Sequence, residues 1–131
     1  MKLLCLSLLL FGLSACSGDG ASTTDAAAGK AIFEANCVSC HGKEASGLTS
    51  NWKAKGADGK YPAPPLNGSA HTWHHSPAQL LKTITEGGIK IGGQMPPFEE
   101  VLTDSERQAV LDYIMSLWPI ELKTQYDERF K

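Results

Sequence analysis

The chain lacks an apolar run long enough to cross a bilayer. Its longest, Leu3 to Leu13, covers eleven residues and includes Cys5, Ser7 and Gly12, whereas a membrane-spanning helix needs about 20. It also lacks an excess of positive charge: 12 basic and 14 acidic residues leave a net charge of −2. With no basic stripe, that balance does not fit a nucleic-acid binder. Cysteine is scarce, with 4 in 131 residues, and only Cys37 and Cys40 lie close together. No second Cys or His pair at matching spacing accompanies them, and no βαβ pattern surrounds them. A zinc site is therefore incomplete and a thioredoxin-like redox motif lacks its setting.

What is present is Cys37-Val38-Ser39-Cys40-His41. Two cysteines three positions apart can form thioethers with the two vinyl groups of a haem, and the histidine that follows can ligate its iron, so the motif reads as a c-type haem attachment site. A haem bound by one histidine leaves a sixth position open. The chain offers Gly92-Gly93-Gln94-Met95-Pro96-Pro97-Phe98, where glycines and prolines forbid helix and hold Met95 on a stiff loop. The thioether there is either an iron ligand or a hydrophobic plug. As a ligand it gives His/Met coordination, which suits electron transfer at a raised potential.

The order of these parts resembles class I, monohaem cytochrome c, over about Asp25 to Pro119. The match runs through Gly29 and Phe33 on a first helix, Cys37, Cys40 and His41, a Pro64-Pro65-Leu66 loop, Met95, and Val110, Tyr113 and Ile114 on a last helix. The resemblance implies an all-α fold of three to five helices wrapped around one covalently bound haem. It also implies that the Gly29 and Phe33 face crosses the last helix at close range, that the Pro64 carbonyl accepts the second N–H of the ligating histidine, and that Leu66 packs on the haem. A ligating histidine normally gives its free N–H to such an acceptor; Pro65 is the alternative donor of the carbonyl.

Local signals place the helices. Asp25 suits an N-cap for a helix over Ala26 to Asn36, in which Gly29 costs about 1 kcal/mol relative to alanine and so implies a packing reason. Ser76-Pro77 opens a second helix whose face is Leu80, Leu81 and Ile84, closed by Gly87-Gly88. Thr103-Asp104-Ser105-Glu106 is a capping box. The helix it starts carries Val110, Tyr113, Ile114 and Leu117 on one face and stops at Pro119, with Met115 off that face. The polar span from Gly42 to Tyr61 reads as loop, with Trp52 either covering a haem edge or simply packed. Residues 120–131 form a tail that adds at most a short helix.

The amino terminus has the layout of a secretory signal, Lys2 followed by Leu3 to Leu13. Leu13-Ser14-Ala15-Cys16 resembles a bacterial lipobox, which implies lipidation of Cys16 as the mature amino terminus after loss of residues 1–15. The alternative is ordinary cleavage that leaves Cys16 a stray thiol. Two or three acyl chains hold a protein firmly to a membrane where one does not. Ser17 to Thr24 then forms a tether reaching about 15 Å, and the remainder suits one domain at 25–119.

Two stretches keep several readings. His71-Thr72-Trp73-His74-His75 fits a copper or other divalent-metal site, a propionate contact through Trp73 or a histidine, or a solvated turn. Lys43, Lys53, Lys55 and Lys60 give a locally positive segment that either steers an acidic redox partner or is merely a solvated loop. The leading expectation is a monomeric electron carrier, exported and lipid-anchored on the membrane face toward the periplasm or, with one membrane, the outside. Its partners would be a quinol-oxidising complex and an oxidase or soluble reductase. The rivals are a haem enzyme or ligand sensor with a labile Met95, short of a distal acid or base other than Gln94, and a copper-handling protein using His71 to His75.

Overall fold

The computed structural model describes residues 23–131. The signal segment, Cys16 and all but the end of the tether lie outside the described residues. Those described form five helices and no strand: α1 (Thr23–Asn36), α2 (Val38–His41), α3 (Pro77–Glu86), α4 (Asp104–Ser116) and α5 (Ile120–Arg129), with 3₁₀ turns at Lys43–Ala45, Thr72–His74 and Ile89–Ile91. None of these helices is long and apolar enough to cross a membrane.

The fold is centred on the crossing of α1 and α4. Phe33 is buried against Tyr113 with ring centroids 5.4 Å apart, and Val110, Leu111 and Ile114 complete the contact. A Cβ added at Gly29 would lie 1.8 Å from the Ala109 carbonyl oxygen, so the backbones meet where only hydrogen fits. This is the packing reason that the cost of an interior glycine demands.

Helix boundaries follow from side-chain chemistry. The Ser76 side chain accepts a hydrogen bond from the Gln79 N–H at 3.3 Å, and Pro77 takes the first helical position of α3. Thr103 and Glu106 form the reciprocal box that opens α4: Glu106 N–H donates to Thr103 Oγ1 at 3.3 Å, and Thr103 N–H donates to the Glu106 carboxylate at 2.8 Å. α1 is helical from the first described residue, Thr23, three residues before Ala26, where an Asp25 cap would start it. Asp25 is thus within the helix, and the end of the expected tether is helical. An acidic residue is as favourable in a first turn as at a cap, so sequence does not separate the two starts.

The tail holds more structure than its sequence advertises. Trp118 and Tyr126 are buried with ring centroids 4.9 Å apart, and Phe130 packs on Tyr126 at 4.7 Å. Gly29→Ala should lower stability by at least about 1–3 kcal/mol, the usual cost of overpacking, because the obstacle is backbone. Thermal unfolding of the variant beside the parent checks this, and an unchanged midpoint would mean that α1 and α4 are not in close contact.

Candidate functional site

An apolar cavity opens between α1, α3, α4 and the loops that join them, with about 560 Å³ of space between atoms, mouth included. Its walls include Phe33, Cys37, His41, Leu66, Met95 and Phe98, backed by Leu80, Ile84 and Leu111. A slot of this character suits a flat apolar group. No carboxylate, lysine or arginine is among its lining residues; the polar ones are His41, Thr72 and Thr83.

His41 ends α2 and is 8% exposed. Its Nδ1 lies 3.2 Å from the Pro64 carbonyl oxygen. A carbonyl can only accept, so Nδ1 carries the hydrogen and Nε2 is left with its lone pair. Burial pushes the His41 pKa below its ordinary value, while the bond to Pro64 pulls the other way. Burial dominates, and a neutral ring with a free Nε2 is the form that binds metal.

The two residues after Pro64 are held in place. The Leu66 N–H donates to the Ala45 carbonyl at 2.7 Å, Thr72 Oγ1 donates to the Pro65 carbonyl at 3.3 Å, and Trp118 Nε1 donates to the Leu66 carbonyl at 2.8 Å. Ala45, fully buried, and its neighbour Glu44 sit in the left-handed region with φ of 55° and 52°. Such backbone costs of order 1–3 kcal/mol for residues with a Cβ, and here the turn containing it carries the carbonyl that fixes Leu66.

Cys37 lines the cavity, whereas Cys40 is exposed, and neither is in a disulfide. Burial and then the neighbouring Cys40 push the Cys37 thiol up to about 11. A redox-active CxxC cysteine needs the opposite displacement, so the local environment gives no support to that rival of thioether attachment.

Met95 belongs to a loop closed at its base. The Gly88 N–H donates to the Met95 carbonyl at 2.9 Å and the Gly93 N–H to the Gly88 carbonyl at 2.8 Å. Gly87, with φ of 73°, lies where a Cβ would sit 2.6 Å from that same Met95 oxygen. At the loop's far end the Phe98 N–H donates to the Ile84 and Thr85 carbonyls at 3.1 Å each. Gln94 turns away, its Nε2 donating to the Tyr61 carbonyl at 2.8 Å, and is not part of the cavity wall.

The remaining predicted residues separate. Trp73 is not among the residues lining the cavity; it packs against the core and meets the His74 ring at a tilt with centroids 4.0 Å apart, and its neighbour Thr72 lines the cavity. His71 stacks on Trp52 at 5.4 Å and meets His75 edge-on at 5.6 Å. Among the described residues no group of three or more His, Cys, Asp or Glu side chains is placed to hold a metal ion, so the histidines pair with rings instead of converging. Lys53 lies over the Trp52 ring at 5.2 Å and Lys55 over Tyr61 at 5.6 Å. Sequence reasoning missed Trp118 and Tyr126, whose hydroxyl donates to the His75 carbonyl at 2.9 Å. The signal available was the aromatic spacing within an otherwise charged tail.

The residues present fit a c-type haem: an apolar slot, a thiol in its wall, a neutral histidine with a free Nε2, and a thioether on a braced loop. Comparison with known proteins agrees. The sequence profile of the family described as "Cytochrome C oxidase, cbb3-type, subunit III" matches residues 24–114. The FixP subunit of the cbb3-type cytochrome c oxidase of Sinorhizobium medicae is 33% identical over 96 residues, which is 69% of this chain and 29% of FixP. The CcoP subunit of Rhodobacter capsulatus is 32% identical over 108 residues, 77% of this chain and 32% of CcoP. Cytochrome c6 of Synechocystis is 32% identical over 98 residues, 75% of this chain and 70% of its own length. The chain thus spans about a third of the oxidase subunits it matches and most of cytochrome c6. No solved structure matches it.

Trp118→Phe removes the donor that holds the Leu66 carbonyl. The variant should lose about 1–3 kcal/mol, the cost of leaving a buried acceptor unpaired. Denaturant unfolding checks this, and full stability would show that the indole only fills space.

Proposed function

The chain belongs to the cbb3-type cytochrome c oxidase subunit III family of cytochrome c domains, and on that footing we propose that it is a single-electron carrier with His/Met ligation. Its cofactor is one covalent haem c, which supplies a one-electron iron couple when bound. Cys37 and Cys40 tie that group to the chain through their sulfurs. His41 ligates through Nε2, oriented by the Pro64 carbonyl, and Met95 offers its thioether from the loop braced by Gly87 and Gly88. Phe33, Leu66, Ile84 and Leu111 keep water from the slot, which favours the less charged, reduced state of a buried centre and so raises its potential.

The observation that carries this reading is the single cavity wall shared by Cys37, His41 and Met95, with no carboxylate, lysine or arginine among its lining residues and His41 held by the Pro64 carbonyl. An enzyme acting on a bound small molecule needs a placed proton donor or acceptor, and Gln94, the residue nearest in sequence, is committed to Tyr61.

The proposed partners are redox components of membrane respiratory complexes. Relatives named as cbb3-type oxidase subunits support an oxidase as acceptor, with a quinol-oxidising complex or a soluble reductase at the other end. Lys2, the apolar run after it and Leu13-Ser14-Ala15-Cys16 support export and a lipid anchor at Cys16. A tether would leave the monomeric domain able to turn between partners.

Absorption spectra of the oxidised and reduced protein, the latter with and without carbon monoxide, test the ligand set. A c-type spectrum, a sulfur-to-iron band when oxidised and indifference to carbon monoxide are expected; ready carbon monoxide binding would point to an open or labile sixth position. Met95→Ala should keep the haem attached yet lose the sulfur-to-iron band and lower the reduction potential, and an unchanged ferric spectrum would place the ligand elsewhere. Cys16→Ser should move the protein from the membrane fraction to the soluble fraction. Continued retention would assign anchoring to the Leu3 to Leu13 segment.

A further inference from the structure

Arg107, on the first turns of α4, is a charged residue buried to 7% exposure that takes no part in the cavity wall. Its guanidinium is almost wholly occupied with the backbone of one turn. Nη1 donates to the Glu99 carbonyl at 3.3 Å and also to the Leu102 carbonyl, while Nη2 donates to the Asp104 carboxylate. The Asp104 side chain is 98% exposed, so solvent screens that ion pair and it does not account for burying the arginine. The two carbonyls do: they are fixed acceptors that the two hydrogens of Nη1 bridge, while the other arm of the fork reaches Asp104.

The turn it grips runs from Phe98 to Leu102, closed by the Leu102 N–H donating to the Phe98 carbonyl at 2.9 Å. Both of its apolar ends, Phe98 and Leu102, line the cavity. Phe98 is also fastened to the end of α3, and only Pro96-Pro97 separates it from Met95. Two consecutive prolines have fixed φ and little freedom, so a displacement of Phe98 is passed on to Met95 instead of being absorbed.

We propose that Arg107 is a positioning residue for Met95: it clamps the Phe98–Leu102 turn and thereby keeps the thioether seated toward the haem iron. The proposal rests on Met95 being the sixth ligand. It places control of the distal side on α4, the helix whose opposite contacts hold α1.

The test is cyanide binding to the oxidised, haem-loaded protein, which requires Met95 to leave. Arg107→Gln should accelerate it on the order of tenfold, the effect of losing hydrogen bonds to a charged donor, and should speed hydrogen exchange at the Phe98 amide. Arg107→Lys, whose ammonium ends one bond short of the Nη1 that bridges the two carbonyls, should fall between Gln and the parent. Tyr126→Phe, whose lost hydrogen bond ends on His75, controls for general loosening and should stay near the parent rate. A Gln rate equal to the parent, or no faster than Tyr126→Phe, overturns the proposal. If Arg107→Gln does not fold, Arg107→Lys decides alone: faster than both parent and Tyr126→Phe supports the clamp, and no faster overturns it. Met95→Ala separates the two ideas. An unaltered ferric spectrum in that variant removes the ligand assignment and the clamp with it, whereas an altered one beside an unresponsive Arg107→Gln removes only the clamp.

Discussion

The contact of α1 with α4 at Gly29 is the constraint on which the other parts depend. A helix pair is usually held 8–10 Å apart by the side chains between them; here one side contributes no side chain and faces the Ala109 carbonyl. That approach brings Phe33 onto Tyr113 and stacks Val110, Leu111 and Ile114 into one layer. The same layer then presents Phe33, Val110, Leu111 and Ile114 as the back wall of the cavity. Core and binding slot are therefore a single packing problem, and a shift in the crossing changes both.

Around that wall the site is assembled largely by main-chain carbonyls. Pro64 orients His41, Ala45 holds Leu66, Leu66 receives Trp118, and Met95 receives Gly88. Carbonyls need no particular residue type, but they need fixed backbone, and the chain supplies it with prolines at 62, 64, 65, 96 and 97 and with left-handed turns at Glu44, Ala45 and Gly87. Rigidity bought locally in this way lets short loops do what longer helices do in larger proteins.

The sequence made some of this readable because certain residues have few uses. The Ser76-Pro77 and Thr103 to Glu106 caps and the interior Gly29 each correspond to one local geometry, and the structure has that geometry at each. Other features depend on partners far along the chain. Nothing about Trp73 by itself says that Thr72 will face the cavity in its place, since a 3₁₀ turn of three residues can present any of them. Arg107 reads as a surface residue of an amphipathic helix until the Glu99 and Leu102 carbonyls are seen beneath it. The three histidines attract a metal-binding interpretation by composition, yet the turn directs His71 and His75 toward Trp52 and each other and His74 toward Trp73.

The carboxy-terminal clasp sets an order of events. Trp118 reaches back 52 positions to Leu66, and Tyr126 reaches back 51 to His75, while the family match ends at residue 114. A chain made from its amino terminus has Cys37, Cys40 and His41 available long before either aromatic exists, and contacts between such distant positions form only after the intervening loop is closed. The pocket is consequently a door that cannot be latched from outside until the chain has grown past Tyr126.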